Sequence, residues 1–133
     1  MVVDTSAILC ILLGEAESDR FVEQLAGADR CVMAAPTWLE CAMVTTVRLG
    51  PRGFELMEAL LSGAQVHVHA FDKELARIAN AAWRQFGKGR HPAALNFGDC
   101  FSYALAKSLD EPLLFKGQDF SLTDIRAVLS ESN

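Results

Sequence analysis

The chain begins Met1-Val2-Val3-Asp4-Thr5-Ser6, a stretch that joins two β-branched apolar residues directly to an acid and two hydroxyls. The two valines are typical of a short buried strand. Asp4 then falls at the carboxyl end of that strand, where open α/β sheets bind their ligands. We expect Thr5 or Ser6 to cap the helix that follows. Burying the Asp4 carboxylate costs free energy unless a metal ion or a helix N-terminus offsets the cost.

Length and composition indicate one globular domain. The 133 residues are 51% hydrophobic and 22% charged, so we expect a single domain over residues 1–133 with one core. No apolar run is long enough to span a membrane, and no secretory signal is evident, so we expect a cytoplasmic protein with no membrane partner. The net charge of −5 argues weakly against general nucleic-acid binding. The four cysteines lie in apolar stretches and are expected to be buried and inert.

Apolar runs and helical periodicities alternate along the chain. Strands are predicted near residues 2–3, 31–34, 66–69 and 113–115, and helices near 7–13, 17–26, 37–49, 54–61, 72–86 and from about 99 onward. In the helix over 72–86 we expect Leu75, Ala79 and Trp83 to point inward. Strands that alternate with helices predict an α/β fold with a central parallel sheet and helices on both faces.

Four acids occupy similar positions in this plan. Asp4 and Asp119 each follow a buried strand, and Glu40 and Asp99 lie early in helices among apolar neighbours. In a doubly wound sheet these positions can converge on one edge. Carboxylates gathered at one point raise one another's pKa values, and a bound cation removes that repulsion. Oxygen ligands without Cys or His favour Mg²⁺ or Mn²⁺ over Zn²⁺. The pattern therefore indicates phosphodiester hydrolysis by a metal-activated water.

Two other features have both a purely structural and a functional interpretation. Residues 87–92 form a basic, glycine-containing loop, either a solvated turn or a segment whose Lys88 and Arg90 contact the backbone phosphates of a nucleic acid. His67 and His69 alternate along a predicted strand and share one face, but no acid or sulfur lies at ligand spacing, so metal binding there is the weaker interpretation.

The sequence resembles the PIN-domain ribonucleases of the VapC type, the toxin half of a bacterial toxin–antitoxin pair. The residues that carry the resemblance span nearly the whole chain in the expected order. They are Val2-Val3-Asp4-Thr5-Ser6-Ala7, Leu39-Glu40, Gly87-Lys88-Gly89-Arg90-His91, Leu95-Asn96-Phe97-Gly98-Asp99-Cys100, Leu114-Phe115-Lys116-Gly117-Gln118-Asp119-Phe120 and Thr123-Asp124-Ile125.

The resemblance implies a three-layer α/β/α domain whose parallel sheet has about four or five strands. It implies an acidic site of Asp4, Glu40, Asp99 and Asp119 that holds Mg²⁺ or Mn²⁺, with Asp4 and Asp99 as the central ligands. Ser6 would lie near the metal or its water. Asp124 would lie in the outer shell or cap a turn. Relatives often carry an acid where this chain has Gln118, so Asp119 is expected to supply the late carboxylate alone.

The resemblance also implies a function and partners. Members cut RNA, often transfer or ribosomal RNA, and leave a 3′-hydroxyl and a 5′-phosphate. They commonly form homodimers, and a small antitoxin of the VapB type covers the site. The alternative is a catalytically inert PIN-like module that binds RNA or protein. A receiver-like phosphoacceptor domain fits less well, because Asp4 has no paired acid beside it.

Overall fold

The computed structural model describes residues 1–129, and the end of the predicted domain, residues 130–133, lies outside the described residues. The elements in chain order are β1 Val2–Val3, α1 Thr5–Leu12, α2 Ser18–Gly27, β2 Cys31–Ala34, α3 Ala35–Leu49, α4 Pro51–Gly63, β3 Val66–His69, α5 Lys73–Phe86, α6 Phe97–Leu109, β4 Leu113–Leu114 and a short 3₁₀ helix Asp119–Leu122. This order agrees with the predicted alternation of strands and helices.

The four strands form one parallel sheet in the order β3-β2-β1-β4. Val2 pairs with Val32 on one side and with Leu113 on the other, so β1 is a central strand. A further parallel bridge joins Leu113 to Ala127 and extends the edge beside β4. The predicted sheet of about four or five strands is therefore confirmed.

The alternation of side chains along the strands divides the core between the two faces of the sheet. Val2, Val32 and Leu113 pack with the buried side of α5 and α6. Val3, Met33 and Leu114 pack with α1, α2 and α4. The result is the predicted three-layer α/β/α arrangement. Because β1 is buried on both faces, the carboxyl end of β1 has a fixed position, and Asp4 follows it directly.

Two details differ from the sequence-based predictions. Asp4 caps α1 itself, by accepting a hydrogen bond from the Ser6 amide, so neither Thr5 nor Ser6 is the cap. Trp83 is 42% exposed, because the face of α5 toward the core is filled by smaller residues such as Ala79 and Ala82. Within residues 1–129 no helix is long and apolar enough to cross a lipid bilayer.

Helix α3 has an unexpected apolar stripe on its outer side. Leu39, Met43 and Val47, which are apolar neighbours of Glu40 in the sequence, are 54%, 61% and 84% exposed. Their spacing of four residues places them on one helical face. The buried face of α3 instead carries Thr37, Cys41, Ala42 and Thr45, small side chains that allow close packing against neighbouring helices.

Candidate active site

The Asp4 carboxylate is buried, with 5% of the residue exposed, and is held by three donors. Ser102 Oγ donates to Asp4 Oδ1 at 2.5 Å. Ser6 donates to Oδ2 twice, from Oγ at 2.7 Å and from its backbone N–H at 3.1 Å. These contacts join the end of β1 to the first turns of α1 and α6. The three donors stabilise the charged carboxylate and fix its orientation.

Glu40 reaches the same region from the second turn of α3. Thr5 Oγ1 donates to Glu40 Oε1 at 2.7 Å, so the residue after Asp4 orients this second carboxylate. A Cβ atom added to Gly98 would overlap the Glu40 carboxylate, which shows how closely the first turn of α6 approaches it. The pKa of the Cys41 thiol is raised to about 12, mainly by burial and further by the charges of Asp4 and Glu40. Both carboxylates therefore lie near Cys41, which agrees with this placement of Glu40.

Asp99 lies in the first turn of α6, where it forms a capping box with Asn96. The Asp99 N–H donates to Asn96 Oδ1 at 2.9 Å, and the Asn96 N–H donates to Asp99 Oδ2 at 3.0 Å. Burial raises the pKa of the Asp99 carboxyl from 3.8 to about 7, while the hydrogen bond from Asn96 lowers it. The capping box fixes the side chain, and its surroundings favour the addition of positive charge.

Three other carboxylates also raise the pKa of Asp99, namely Asp4, Asp119 and Glu40. Asp119 is exposed and begins the short 3₁₀ helix beyond β4. Each of the other three predicted carboxylates therefore interacts electrostatically with Asp99, and we call Asp4, Glu40, Asp99 and Asp119 the acidic cluster. It lies at the carboxyl ends of the parallel strands, the edge at which open α/β sheets bind ligands.

The donors of the acidic cluster suit a hard divalent cation. All are carboxylate oxygens, the ligands that Mg²⁺ and Mn²⁺ prefer. Across residues 1–129, no three His, Cys, Asp or Glu side chains are grouped closely enough to hold one ion between them. Mg²⁺ is usually held by one or two carboxylates together with waters and substrate oxygens. The arrangement therefore fits an open site of that kind better than a cage of four protein ligands.

The two residues expected to support the site have clear contacts. Ser6 Oγ donates to Asp4 and accepts a hydrogen bond from the Lys116 N–H at 2.9 Å, so it connects Asp4 to the end of β4. Asp124 accepts hydrogen bonds from Tyr103 OH and Lys107 Nζ, both at 2.6 Å. Burial raises the pKa of Asp124, but these two donors lower it overall. Asp124 therefore anchors the segment after the 3₁₀ helix to α6.

The basic loop places its two cations in different settings. The Arg90 guanidinium lies over the Trp83 ring at 4.8 Å, and its Nε donates to the Arg84 carbonyl at 3.2 Å. Lys88 is exposed and makes no ion pair with any residue in 1–129. Lys116, the lysine that follows β4, pairs with Glu15 and Glu17. Lys88 is thus better placed than Arg90 to contact an anion.

His67 and His69 share one face of β3, as predicted, with their rings edge to face at 6.4 Å. His69 Nδ1 hydrogen-bonds to the Ala70 carbonyl at 2.7 Å. The residues around them supply no third ligand in the described part of the chain. The pair therefore remains part of an exposed edge strand.

Four residues that were not predicted to support the site organise the acidic cluster: Thr5, Asn96, Gly98 and Ser102. Ser102 lies three residues after Asp99, one helical turn away, and that spacing could have indicated a shared face. The Asn-x-x-Asp spacing before α6 is likewise a capping-box signal. No local pattern identifies the contacts of Thr5 or Gly98 with Glu40, because these depend on how α1, α3 and α6 pack together.

We expect Ser102→Ala to lower the free energy of unfolding by about 1–3 kcal/mol, because the buried Asp4 carboxylate would lose its donor at Oδ1. Urea denaturation followed by circular dichroism measures the change. Ser108→Ala, at an exposed position on the same helix, is the matched control and should shift stability far less. Equal effects of the two substitutions would show that the Ser102–Asp4 contact contributes nothing to folding.

Comparisons with known proteins show one family throughout. The sequence profile of the PIN domain matches residues 1–125. A VapC ribonuclease from Mycobacterium bovis is 44% identical over 128 residues, which cover 96% of this chain and 98% of that protein. A ribonuclease VapC from Mycolicibacterium smegmatis is also 44% identical, over 96% of this chain and 99% of its own length.

Solved structures show the same fold at lower sequence identity. VapC20 of Mycobacterium tuberculosis, described as a toxin that cleaves the sarcin–ricin loop, superposes with a TM-score of 0.78 at 19% identity and covers 96% of this chain and 97% of its own. A chain of a toxin–antitoxin complex from Klebsiella pneumoniae superposes with a TM-score of 0.70 at 16% identity, over 92% of each chain.

Proposed function

The chain belongs to the VapC family of PIN-domain ribonucleases, and from that membership and the acidic cluster we propose that it is a toxin endoribonuclease that requires Mg²⁺ or Mn²⁺. One observation carries the proposal most directly. Burial and three neighbouring carboxylates raise the pKa of Asp99 to about 7. Such a cluster attracts a cation and repels an RNA phosphate unless a cation is bound.

We propose that Asp4 and Asp99 hold the cation directly and that Glu40 and Asp119 act at its margin. Asp4 and Asp99 are each fixed by hydrogen bonds within the first turn of a helix, which reduces the entropy lost when the site forms. A divalent cation bound here would activate a water molecule and stabilise the charge that develops on the phosphate. The hydroxyls of Ser6, Ser102 and Thr5 keep Asp4 and Glu40 oriented during the reaction.

The test is RNA cleavage by the purified chain with Mg²⁺ or Mn²⁺, followed by mapping of the ends. We expect internal cuts that leave a 3′-hydroxyl and a 5′-phosphate, and no cuts in EDTA. Transfer RNA and ribosomal RNA are the first substrates to use. If the folded protein binds these RNAs but never cuts them with either metal, the inert RNA-binding alternative replaces the nuclease.

We also propose a protein partner and a second copy of this chain. The antitoxin complex among the structural neighbours supports a small antitoxin of the VapB type that covers the acidic cluster. The homodimer expected from the family can use the exposed stripe of Leu39, Met43 and Val47 on α3. Co-expression with the protein of the adjoining reading frame, followed by gel filtration of the complex and of the chain alone, tests both. An RNA substrate and such a partner are consistent with the cytoplasmic location expected from the sequence.

For RNA binding, we expect Lys88→Ala to weaken affinity and to reduce the slope of log affinity against log salt by about 0.7, the value for one contact to a single-stranded phosphate. Metal affinity should stay unchanged. Arg52→Ala is the matched control, since Arg52 carries the same charge on α4, where it pairs with Glu55. Arg90→Ala should add to the loss through its position over Trp83. If Lys88→Ala leaves the salt slope unchanged, the loop is only a solvated turn.

A further inference from the structure

An aromatic pocket of about 540 Å³ lies between α5 and α6, beside the acidic cluster. Its walls include Phe71, Trp83, Phe97 and Phe101. Phe101 meets Phe71 edge to face at 5.0 Å and Phe97 edge to face at 4.8 Å. The volume lies within the range of about 300–1,000 Å³ that is usual for small-molecule sites.

Phe97 is the most unusual residue of this aromatic pocket. It is 81% exposed although it is the first residue of α6. Its neighbour Trp83 is 42% exposed, and Gly87 lies so close to the Trp83 ring that an added Cβ would overlap it. Arg90 lies over the same ring. The Trp83 ring is therefore held in place, while Phe97 presents an apolar surface to solvent at an energetic cost.

The aromatic pocket and the acidic cluster share the first turn of α6. Asn96, Phe97 and Cys100 line the pocket, and Asp99 lies between them in the chain. Asn96 also donates its N–H to the Asp99 carboxylate. A nucleic-acid strand with a phosphate at the acidic cluster would therefore have a neighbouring nucleotide within reach of this turn.

The pocket is lined mainly by apolar surface, which suits the face of a base, and its few polar side chains suit the rest of a nucleotide. Lys88, which makes no ion pair within residues 1–129, lines the pocket and can contact a backbone phosphate. Asn80 and Asn96 supply amide groups that can hydrogen-bond to the edge of a base. The exposed stripe on α3 carries aliphatic side chains instead, and it is the surface that suits a protein helix.

We propose that the aromatic pocket binds an unpaired base of the RNA, next to the phosphate that is cut. The inference rests on the proposed function and adds a binding subsite to it, in which the aromatic side chains of the pocket hold one unstacked base. Stacking of bases on aromatic side chains is how proteins commonly hold single-stranded nucleic acid.

The test compares two probes on the full-length Asp99→Asn chain, which we expect to bind without cutting. One probe is a fluorescent oligoadenylate, and the other is a ribose–phosphate oligomer of the same length that lacks bases. We expect the oligoadenylate to bind about tenfold or more tightly than the abasic oligomer, from the usual strength of base stacking. Phe97→Ala should remove that difference, and Phe97→Tyr should restore it.

Two control variants separate base binding from phosphate contacts and from the general effect of truncating an exposed apolar side chain. Lys88→Ala should weaken both probes alike, because it removes a phosphate contact. Val22→Ala, which truncates an exposed apolar residue on α2, should change neither affinity. In a Trp38→Phe background the emission of Trp83 reports on the pocket itself, and oligoadenylate alone should quench it.

The proposal is overturned if both probes bind equally, or if the difference survives Phe97→Ala. It is also overturned if Phe97→Ala weakens self-association or antitoxin binding while the base-dependent affinity stays unchanged, since the pocket is then a protein interface. RNA cleavage by the unmodified chain is scored separately. Cleavage without base-dependent affinity would contradict the base-binding pocket and leave the nuclease function standing. Base-dependent affinity without cleavage would contradict the nuclease function and leave base binding standing.

Discussion

Asp99→Asn should reduce RNA cleavage by about a hundredfold or more while the protein remains folded. The asparagine keeps an oxygen that accepts the Asn96 N–H, so the capping box and the start of α6 are preserved. What is lost is the negative charge that receives a cation, and removal of one preorganised electrostatic group commonly costs this much in rate. Single-turnover cleavage of the mapped RNA with Mg²⁺ or Mn²⁺ measures the effect.

The same substitution has a predicted effect on stability that a simple structural role would not produce. The raised pKa means that folded Asp99 binds a proton more tightly than the unfolded chain does. Its contribution to stability is therefore fully present below the ordinary pKa of 3.8 and is lost as the pH rises through about 7. Above that pH, in EDTA, Asp99→Asn should equal or exceed the unsubstituted protein in free energy of unfolding.

Asp19→Asn is the matched control, because Asp19 is an exposed acid in the first turn of α2. It should leave cleavage unchanged and lower stability by about 0.3–1 kcal/mol, through loss of a favourable interaction with the helix dipole. Undiminished cleavage by a folded Asp99→Asn protein would show that Asp99 takes no part in catalysis. A stability loss like that of Asp19→Asn would show that Asp99 is only a first-turn acid.

The fold was largely predictable because its signals are local. The apolar run Cys31–Ala34 and the alternating stretch Val66–His69 match the observed strands to the residue, and the alternation of strands with helices predicts a parallel sheet. The convergence of four acids could also be anticipated, since positions after strands meet at one edge of such a sheet. The pattern of the acids indicated phosphodiester hydrolysis, and the family resemblance added RNA as the substrate and the role of a toxin.

The contacts that orient the acids were not predictable in the same way. Ser102 and Asp4 are separated by 98 positions, and their hydrogen bond depends on the packing of α6 against the end of β1. The outward stripe of Leu39, Met43 and Val47 was missed because hydrophobic periodicity identifies an apolar face but not which surface covers it. Partner surfaces and core surfaces have the same composition, so only the structure distinguishes them.

Gly98→Ala should lower cleavage by about tenfold to a hundredfold with little change in stability. An added Cβ would overlap the Glu40 carboxylate, which is the flexible end of its side chain and can swing away. Loss of the Thr5–Glu40 hydrogen bond then costs about 0.5–1.5 kcal/mol. Replacing a helical glycine by alanine stabilises the folded protein by about 0.5–1 kcal/mol, which offsets this loss of stability. A small displacement of a catalytic group is enough to reduce the rate by the expected factor.

Gly63→Ala is the matched control, since Gly63 is the last residue of α4 and an added Cβ there meets no atom within 4 Å. A double-mutant cycle with Glu40→Gln makes the argument specific. If Gly98 acts only by leaving space for the Glu40 carboxylate, the loss in the double variant should be no larger than the loss in Glu40→Gln alone. Additive losses, or full activity in Gly98→Ala, would mean that the close approach of α6 to Glu40 does not serve the reaction.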